Sequence, residues 1–362
     1  MRLCSVVGMG YDWKKQYGFI ILFLSLAMCA ASAEIDRKTA ICEYNRTKAL
    51  NLVEYASAVY TIDDLSLLSW TCSRCKGLTK GFKIHTLIVD VQHCLQAFVG
   101  VAENLDAIVI AFRGTQDTSI QNWAEDIYFR ELDLHYPGVI DAMVHSGFYA
   151  AYHNTTLRER VFDAIQAIRQ ARSDLGVIIT GHSMGGAMAT FCALDLSANY
   201  GFKNVEVITF GQPRVGNYAF ALYYNAYVPL TIRVTHAHDI VPHLPPYYPL
   251  LGEKTYHHFA TEVWIFRVAV GRLQYEFERV CDGSGEDTSC SRSTPTAQIV
   301  MLHIFCRSVT GNSIADHLNY YGVYLKTEDD VMALQNSSNG QTLGLGCKTR
   351  SLWERFPAMA QE

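Results

Sequence analysis

The chain has 362 residues, a formal net charge of -5 and 18% charged residues. That balance provides no broad basic surface, so nucleic acid is not expected as a partner. The length suffices for a sizeable core, and no composition break, internal repeat or low-complexity tract marks a boundary, so one domain is expected over residues 34–362.

Residues 1–33 have the order of a secretory signal. Lys14 and Lys15 precede an apolar run from Phe19 to Met28, and Ala31-Ser32-Ala33 then supplies a small-residue cleavage site before Glu34. The run is shorter than the roughly 20 residues of a membrane span, so a secreted or secretory-lumen protein is expected. Asn45, Asn154 and Asn336 each stand two residues before a Ser or Thr and are glycosylation acceptors on such a chain. Of the 11 cysteines, Cys4 and Cys29 leave with the signal, and the odd remainder requires an unpaired thiol. Cys192 is the candidate, as a buried small side chain on a helix. Cys72 and Cys75 are read as disulfide cysteines rather than zinc ligands, and Cys281 with Cys290 suits a local bridge.

The spacing of Leu52, Tyr55 and Val59 predicts a helix over residues 48–60. Strands are expected at 87–89, 95–101 and 107–112. The last of these ends in Arg113-Gly114-Thr115, which places Thr115 on a loop at the sheet end. Its amide could there serve as an oxyanion donor. Within 116–126, a short helix with Ile120 and Trp123 on one face would cover an apolar cleft and swing away at a lipid surface. The plainer alternative is a surface helix whose Trp packs into the core. His145, a whole strand-helix unit upstream of the next segment, is read as a structural histidine. Val161, Ile165 and Ile168 predict a helix over 157–171, with Thr156 and Glu159 as a capping box.

Val177-Ile178-Ile179-Thr180-Gly181-His182-Ser183-Met184-Gly185-Gly186 then has the layout of a nucleophile elbow. A β-branched run enters a tight turn, glycines leave room around the serine, and a helix-forming segment follows. The first amides of that helix, Met184 included, would face a developing oxyanion. Further strands are expected at 205–210, 232–235 and 262–266, and Asp239 sits in the loop after the second of these. Alternating strands and helices argue for an α/β fold with a mostly parallel central sheet, whose functional groups gather at the carboxyl ends of strands.

A serine needs an imidazole to take its proton, and the imidazole needs a carboxylate to fix its tautomer. Ser183 followed by Asp239 matches the order Ser, acid, His of α/β-hydrolases. The histidine must come from His243, His257, His258, His303 or His317. Of these His317, at the start of a C-terminal helix after a polar loop, has the best placement over the sheet end. His236-Ala237-His238-Asp239 also invites a metal reading, but the helical metal motif is absent. No metal or organic cofactor is needed for the serine chemistry.

Seven segments in one order resemble the class 3 lipases, the fungal-type triacylglycerol lipases and their plant secretory relatives. They are Phe112-Arg113-Gly114-Thr115, Ser119-Ile120-Gln121-Asn122-Trp123, Val144-His145-Ser146-Gly147-Phe148, Gly181-His182-Ser183-Met184-Gly185-Gly186, Gly211-Gln212-Pro213-Arg214-Val215-Gly216, Asp239-Ile240-Val241-Pro242 and Asp316-His317-Leu318-Asn319-Tyr320-Tyr321-Gly322. The resemblance implies an α/β-hydrolase fold with helices on both sheet faces and a short lid helix carrying Ile120 and Trp123. It implies Ser183 as nucleophile, Asp239 as orienting acid, His317 as general base, and the amides of Thr115 and Met184 as the oxyanion hole. The expected activity is carboxylic-ester hydrolysis of acylglycerols, with a lipid or ester substrate and transient contact with a lipid interface. A phospholipase A1, galactolipase or feruloyl-type esterase would use the same site. A catalytically inactive binding protein on the same fold is the reading from another class.

Overall fold

The computed structural model describes residues 44–115, 120–128, 130–297 and 313–326. The expected signal, His303 and Asn336 lie outside them. In chain order the main elements are α1 (Arg46–Ala58), β1 (Lys83–Asp90), β2 (Leu95–Ala102), β3 (Ala107–Phe112), α2 (Ile120–Tyr128), α3 (Ser146–His153), α4 (Thr156–Ala171), β4 (Gly176–His182) and α5 (Met184–Leu194). They continue with β5 (Val205–Phe210), α6 (Tyr218–Tyr227), β6 (Thr231–His236), β7 (Glu262–Val270) and β8 (Leu273–Val280).

All eight strands form one sheet, side by side in the order in which they occur along the chain. β3 to β7 are mutually parallel, and β1–β2–β3 and β7–β8 pair antiparallel at the two sides. β3, β4 and β5 read as mostly apolar runs because both faces of the sheet are covered there. On one face Ile110, Phe112, Val177, Ile179 and Val207 share a core with Phe148 of α3, Ile165 of α4 and Phe191 of α5. On the other face, the alternate residue Phe98 meets Tyr55 of α1 together with Trp70 and Phe82.

Helix starts follow local chemistry. Asn45 accepts the Lys48 amide at 3.0 Å and caps α1, while remaining exposed like Asn154. The expected box at Thr156 is displaced by one residue: Thr155 is the cap, accepting from the Leu157 amide at 3.4 Å, and Glu159 lies in the first turn. Disulfides join Cys72 to Cys75 and Cys281 to Cys290. Cys94 is also disulfide-bonded, and Cys192 is a free, buried thiol on α5. Three of these elements went unread in the sequence: α3 is short and opens on Ser146-Gly147, which are weak helix formers. α6 is rich in Tyr and Ala without a clear apolar stripe, and β8 is an edge strand wetted on both faces, so it lacks the apolar run of the central strands.

Candidate active site

The turn from β4 to α5 is the elbow expected from its glycines. Ser183 has φ 58 and ψ -129, a left-handed backbone conformation that is unfavourable for a residue with a Cβ and is held by what surrounds it. A Cβ on Gly181 would lie on the Gly185 backbone, and one on Gly185 would lie on the Phe112 carbonyl, so neither position admits a side chain. The serine amide donates to Phe210 O at 2.9 Å, which fixes the turn against β5.

Asp239 follows β6. Its Oδ1 accepts from the Val241 amide at 2.8 Å, and its Oδ2 accepts from His317 Nδ1 at 2.9 Å and from the Tyr320 hydroxyl at 2.5 Å. His317 and Asp239 are both buried. Gly211, at the end of β5 with φ +58, lies against this pair: a Cβ there would stand 2.8 Å from both Asp239 Oδ2 and His317 Nδ1. The ring of His317 lies 4.4 Å from that of His182, the residue before Ser183. Ser183 Oγ and His317 Nε2 are buried and have no hydrogen-bond partner among the described residues.

The expected C-terminal helix does not start near His317: helical backbone is described over 313–317 and ends at His317. Tyr321 and Gly322, with φ 56 and 76, close a tight turn between Asn319–Tyr320 and Val323–Tyr324. That reversal carries the Tyr320 hydroxyl onto Asp239. Burial, followed by the nearby Asp239 charge, raises the Tyr320 pKa well above its ordinary value, so the hydroxyl stays a donor.

Of the other candidate histidines, His303 lies outside the described residues, and His257 and His258 are held by backbone carbonyls. His258 Nε2 donates to Pro242 O at 2.7 Å and His257 Nδ1 to His258 O at 2.6 Å. Burial pushes His243 down to about 3. His145 caps α3 through the Phe148 amide at 3.2 Å, and burial pushes it down to about 4, consistent with a structural histidine. His236 and His238 both hold Asp316, through His236 Nδ1 to Asp316 O at 3.0 Å and the His238 amide to Asp316 Oδ2 at 3.1 Å. Among the described residues, the one group of converging metal-type ligands is Cys281, Asp287 and Cys290, whose two sulfurs are joined to each other.

Thr115 and Met184 are buried neighbours, the Thr115 hydroxyl donating to Met184 Sδ at 3.6 Å. Met184 is the first residue of α5, so its amide has no intrahelical acceptor. A Cβ on Gly114 would come within 3.1 Å of Ser183 Cβ, which shows how closely the Arg113-Gly114-Thr115 loop borders the serine.

Tyr60 is a site residue that the sequence reading missed. Its hydroxyl accepts the Gly114 amide at 3.1 Å and meets His182 Nδ1 at 2.9 Å, while His182 Nε2 meets His317 O at 2.8 Å. A carbonyl only accepts, so Nε2 carries the proton. Burial and the neighbouring His317 hold the His182 pKa well below its ordinary value, which leaves Nδ1 bare and makes the Tyr60 hydroxyl its donor. One chain of hydrogen bonds therefore ties the end of α1, the loop beside Ser183, the elbow and the His317 backbone. Tyr60→Phe leaves His182 Nδ1 and the Gly114 amide unsatisfied. It is expected to cost about 1–3 kcal/mol in unfolding free energy and to lower kcat severalfold with little change in KM. Denaturant melts and steady-state kinetics of the variant check both.

The loop after Asp239 is held by a buried ion pair. Arg214 donates to Glu286 through Nε (2.7 Å) and Nη2 (2.8 Å), and through Nη1 to His243 O and Pro245 O at 2.6 and 2.9 Å. Burial alone would raise the Glu286 pKa, but the Arg214 charge and hydrogen bonds outweigh it and bring it down to about 2. A depressed folded-state pKa stabilises the fold above the unfolded value of about 4.5 and loses that contribution as pH falls through about 2, a span worth about 3 kcal/mol. Melting curves from pH 5 to pH 2 are expected to show this loss, and Glu286→Gln, already destabilised at pH 5, is expected to show a flatter slope.

α2 carries Ile120, Trp123, Ala124, Ile127 and Tyr128 at helical spacing, all buried, while Asp126 faces out. Trp123 lies 6.4 Å from Phe148 between ring centroids, and its Nε1 has no hydrogen-bond partner among the described residues. The packed Trp of the plainer sequence reading is thus present, on the amphipathic helix of the other. Residues 116–119 lie outside the described residues.

A sheet with an elbow after its fourth strand and an acid after its sixth, paired with a late histidine, defines an α/β-hydrolase-fold protein. A family model for class 3 lipases matches residues 109–248. The lipase of Rhizomucor miehei is 34% identical over 263 residues, 70% of this chain and 62% of that protein, so the chain spans less than two thirds of that relative. Lipase ZK262.3 of Caenorhabditis elegans is 28% identical over 328 residues, 83% of this chain and 86% of that protein. A solved triacylglycerol lipase, whose catalytic centre is formed by a serine protease triad, superposes with a TM-score of 0.62 at 29% identity, over 77% of this chain and 94% of its own. The chain belongs to the class 3 lipase family.

Proposed function

We propose that the protein is a secreted serine hydrolase that cleaves acylglycerol esters through an acyl-enzyme. The observation that carries this reading is the buried His317–Asp239 pair at 2.9 Å beside the elbow, with His317 Nε2 and Ser183 Oγ free of hydrogen-bond partners among the described residues. His317, held in one tautomer by Asp239, takes the Ser183 proton as the hydroxyl attacks the ester carbonyl. The amides of Thr115 and Met184 stabilise the oxyanion. His317 then protonates the leaving alcohol, and water releases the acid by the same steps. The serine protease triad of the solved triacylglycerol lipase supports the assignment.

The buried apolar face of α2 favours substrates in a lipid phase over dissolved esters. A lid that turns Ile120 and Trp123 outward is stabilised by an apolar surface and disfavoured in water. Secretion is supported by the disulfides and by the exposed side chains of Asn45 and Asn154.

The test is a titration of released acid with a short-chain glycerol ester, below and above the concentration at which it forms droplets. A rate that jumps when droplets appear is expected. Smooth saturation without a jump would make the enzyme an esterase on dissolved substrates, and no release from any ester would leave a binding protein.

A further inference from the structure

The β7–β8 hairpin has two chemically different faces. Register pairs Phe266 with Phe277, Val268 with Tyr275 and Val270 with Leu273, and paired residues share a face. Val268, Val270, Leu273, Tyr275 and Phe277 are 38–61% exposed. The alternate positions carry the polar contacts. Arg267 donates to Asp316 Oδ1 at 2.6 Å and to Glu276 Oε1 at 3.1 Å, and Arg46 pairs with Glu278 at 2.8 Å. The carboxylates of β8 therefore lie on the side opposite the apolar face, and Arg272 is exposed at the tip.

The hairpin also stands in a particular place. β7 pairs with β6 only from Glu262 to Ile265, where β6 ends at His236. Residues 266–270 run on past that end, carrying the tip about 17 Å beyond it at about 3.3 Å per residue. This is the carboxyl end of the parallel strands, where Ser183 follows β4 and Asp239 follows β6. On its polar face the same hairpin grips Asp316, the neighbour of His317.

We propose that the β7–β8 hairpin is a lipid-docking element, separate from the α2 lid, whose apolar face inserts into the surface of the lipid phase with Arg272 at the headgroups. The proposal rests on the lipid-phase reading above and adds where the surface is held. The area argues for a fluid lipid surface over a second protein. A two-stranded face about 17 Å long and about 10 Å wide offers far less than the roughly 800 Å² per partner that a stable dimer buries. Continuity with the catalytic end of the sheet argues in the same direction: a surface that wets this hairpin is already presented to the strand ends that carry Ser183 and Asp239.

The experiment measures binding without turnover, using the Ser183→Ala chain and large unilamellar vesicles of phosphatidylcholine, with and without phosphatidylserine, in co-sedimentation. Adding Val270→Asp and Leu273→Asp is expected to reduce the vesicle-bound fraction constant by about tenfold or more, with an unchanged melting temperature. Arg272→Glu is expected to remove severalfold of the gain from phosphatidylserine. Ile140→Asp, at an apolar position 87% exposed outside the hairpin, is expected to change nothing. Binding that is absent from the start, unaltered by the hairpin pair, or equally reduced by Ile140→Asp would overturn the proposal. So would sedimentation showing a dimer that the pair dissociates, which would assign the face to a second copy. Ester hydrolysis by the unmodified chain is a separate readout, so loss of the catalytic reading and loss of the docking reading give different results.

Discussion

Ser183→Ala is expected to lower ester turnover by about a millionfold, while leaving the melting temperature nearly unchanged. Every other group at the elbow would still bind and polarise the carbonyl, but no oxygen would attack it. The fold should tolerate the change because the strained φ of 58 is already borne by a residue with a Cβ, and because the hydroxyl makes no hydrogen bond to a described residue that alanine would break. A phosphonate ester gives the most direct reading. It should add one covalent mass increment to the unmodified chain, mapped to the peptide containing Ser183, and none to the variant. Labelling that survives in the variant would put the nucleophile elsewhere.

The legible parts of this molecule were those whose signal is local. Gly181 and Gly185 announce the elbow because no other side chain fits where they sit, and the apolar runs of β3, β4 and β5 announce buried parallel strands. The order of Ser183, Asp239 and a later histidine narrowed the base to five residues. His317 stood out only by its placement after a polar loop, and the pairing with Asp239 across 78 positions came from the fold. Tyr60 illustrates what stays hidden. Its role depends on His182, 122 positions away, and nothing in the helix pattern around it differs from that of an ordinary core tyrosine. Tyr320 was hidden by a wrong element: a helix continuing past His317 would have pointed it elsewhere, and the left-handed turn at Tyr321 and Gly322 reverses the chain instead. The β7–β8 hairpin was half read, since its outer strand alternates apolar and charged residues and has no buried side to make it look like the centre of a sheet.

The hydrogen bonds around Asp239 lead to a sharper expectation than simple loss of charge. In Asp239→Asn one oxygen position becomes an NH2 group, a donor. At the Oδ1 position it would face the Val241 amide, a rigid donor at 2.8 Å that cannot turn away, so the remaining oxygen is forced to stay there. The NH2 then occupies the Oδ2 position, against His317 Nδ1 and the Tyr320 hydroxyl. Tyr320 can rotate its proton and accept. His317 can accept only by losing the proton from Nδ1, which moves it to Nε2, the nitrogen that must be bare to take the Ser183 proton. The variant should therefore fold and bind substrate with little change in KM, yet lose about four orders of magnitude in kcat through the wrong tautomer. Nitrogen-15 spectra of the His317 ring distinguish the two states, with the protonated nitrogen expected at Nδ1 in the unmodified chain and at Nε2 in the variant. Full activity in Asp239→Asn, or a ring that keeps its Nδ1 proton while activity is lost, would mean that Asp239 acts by its charge or not at all, and not by holding the tautomer.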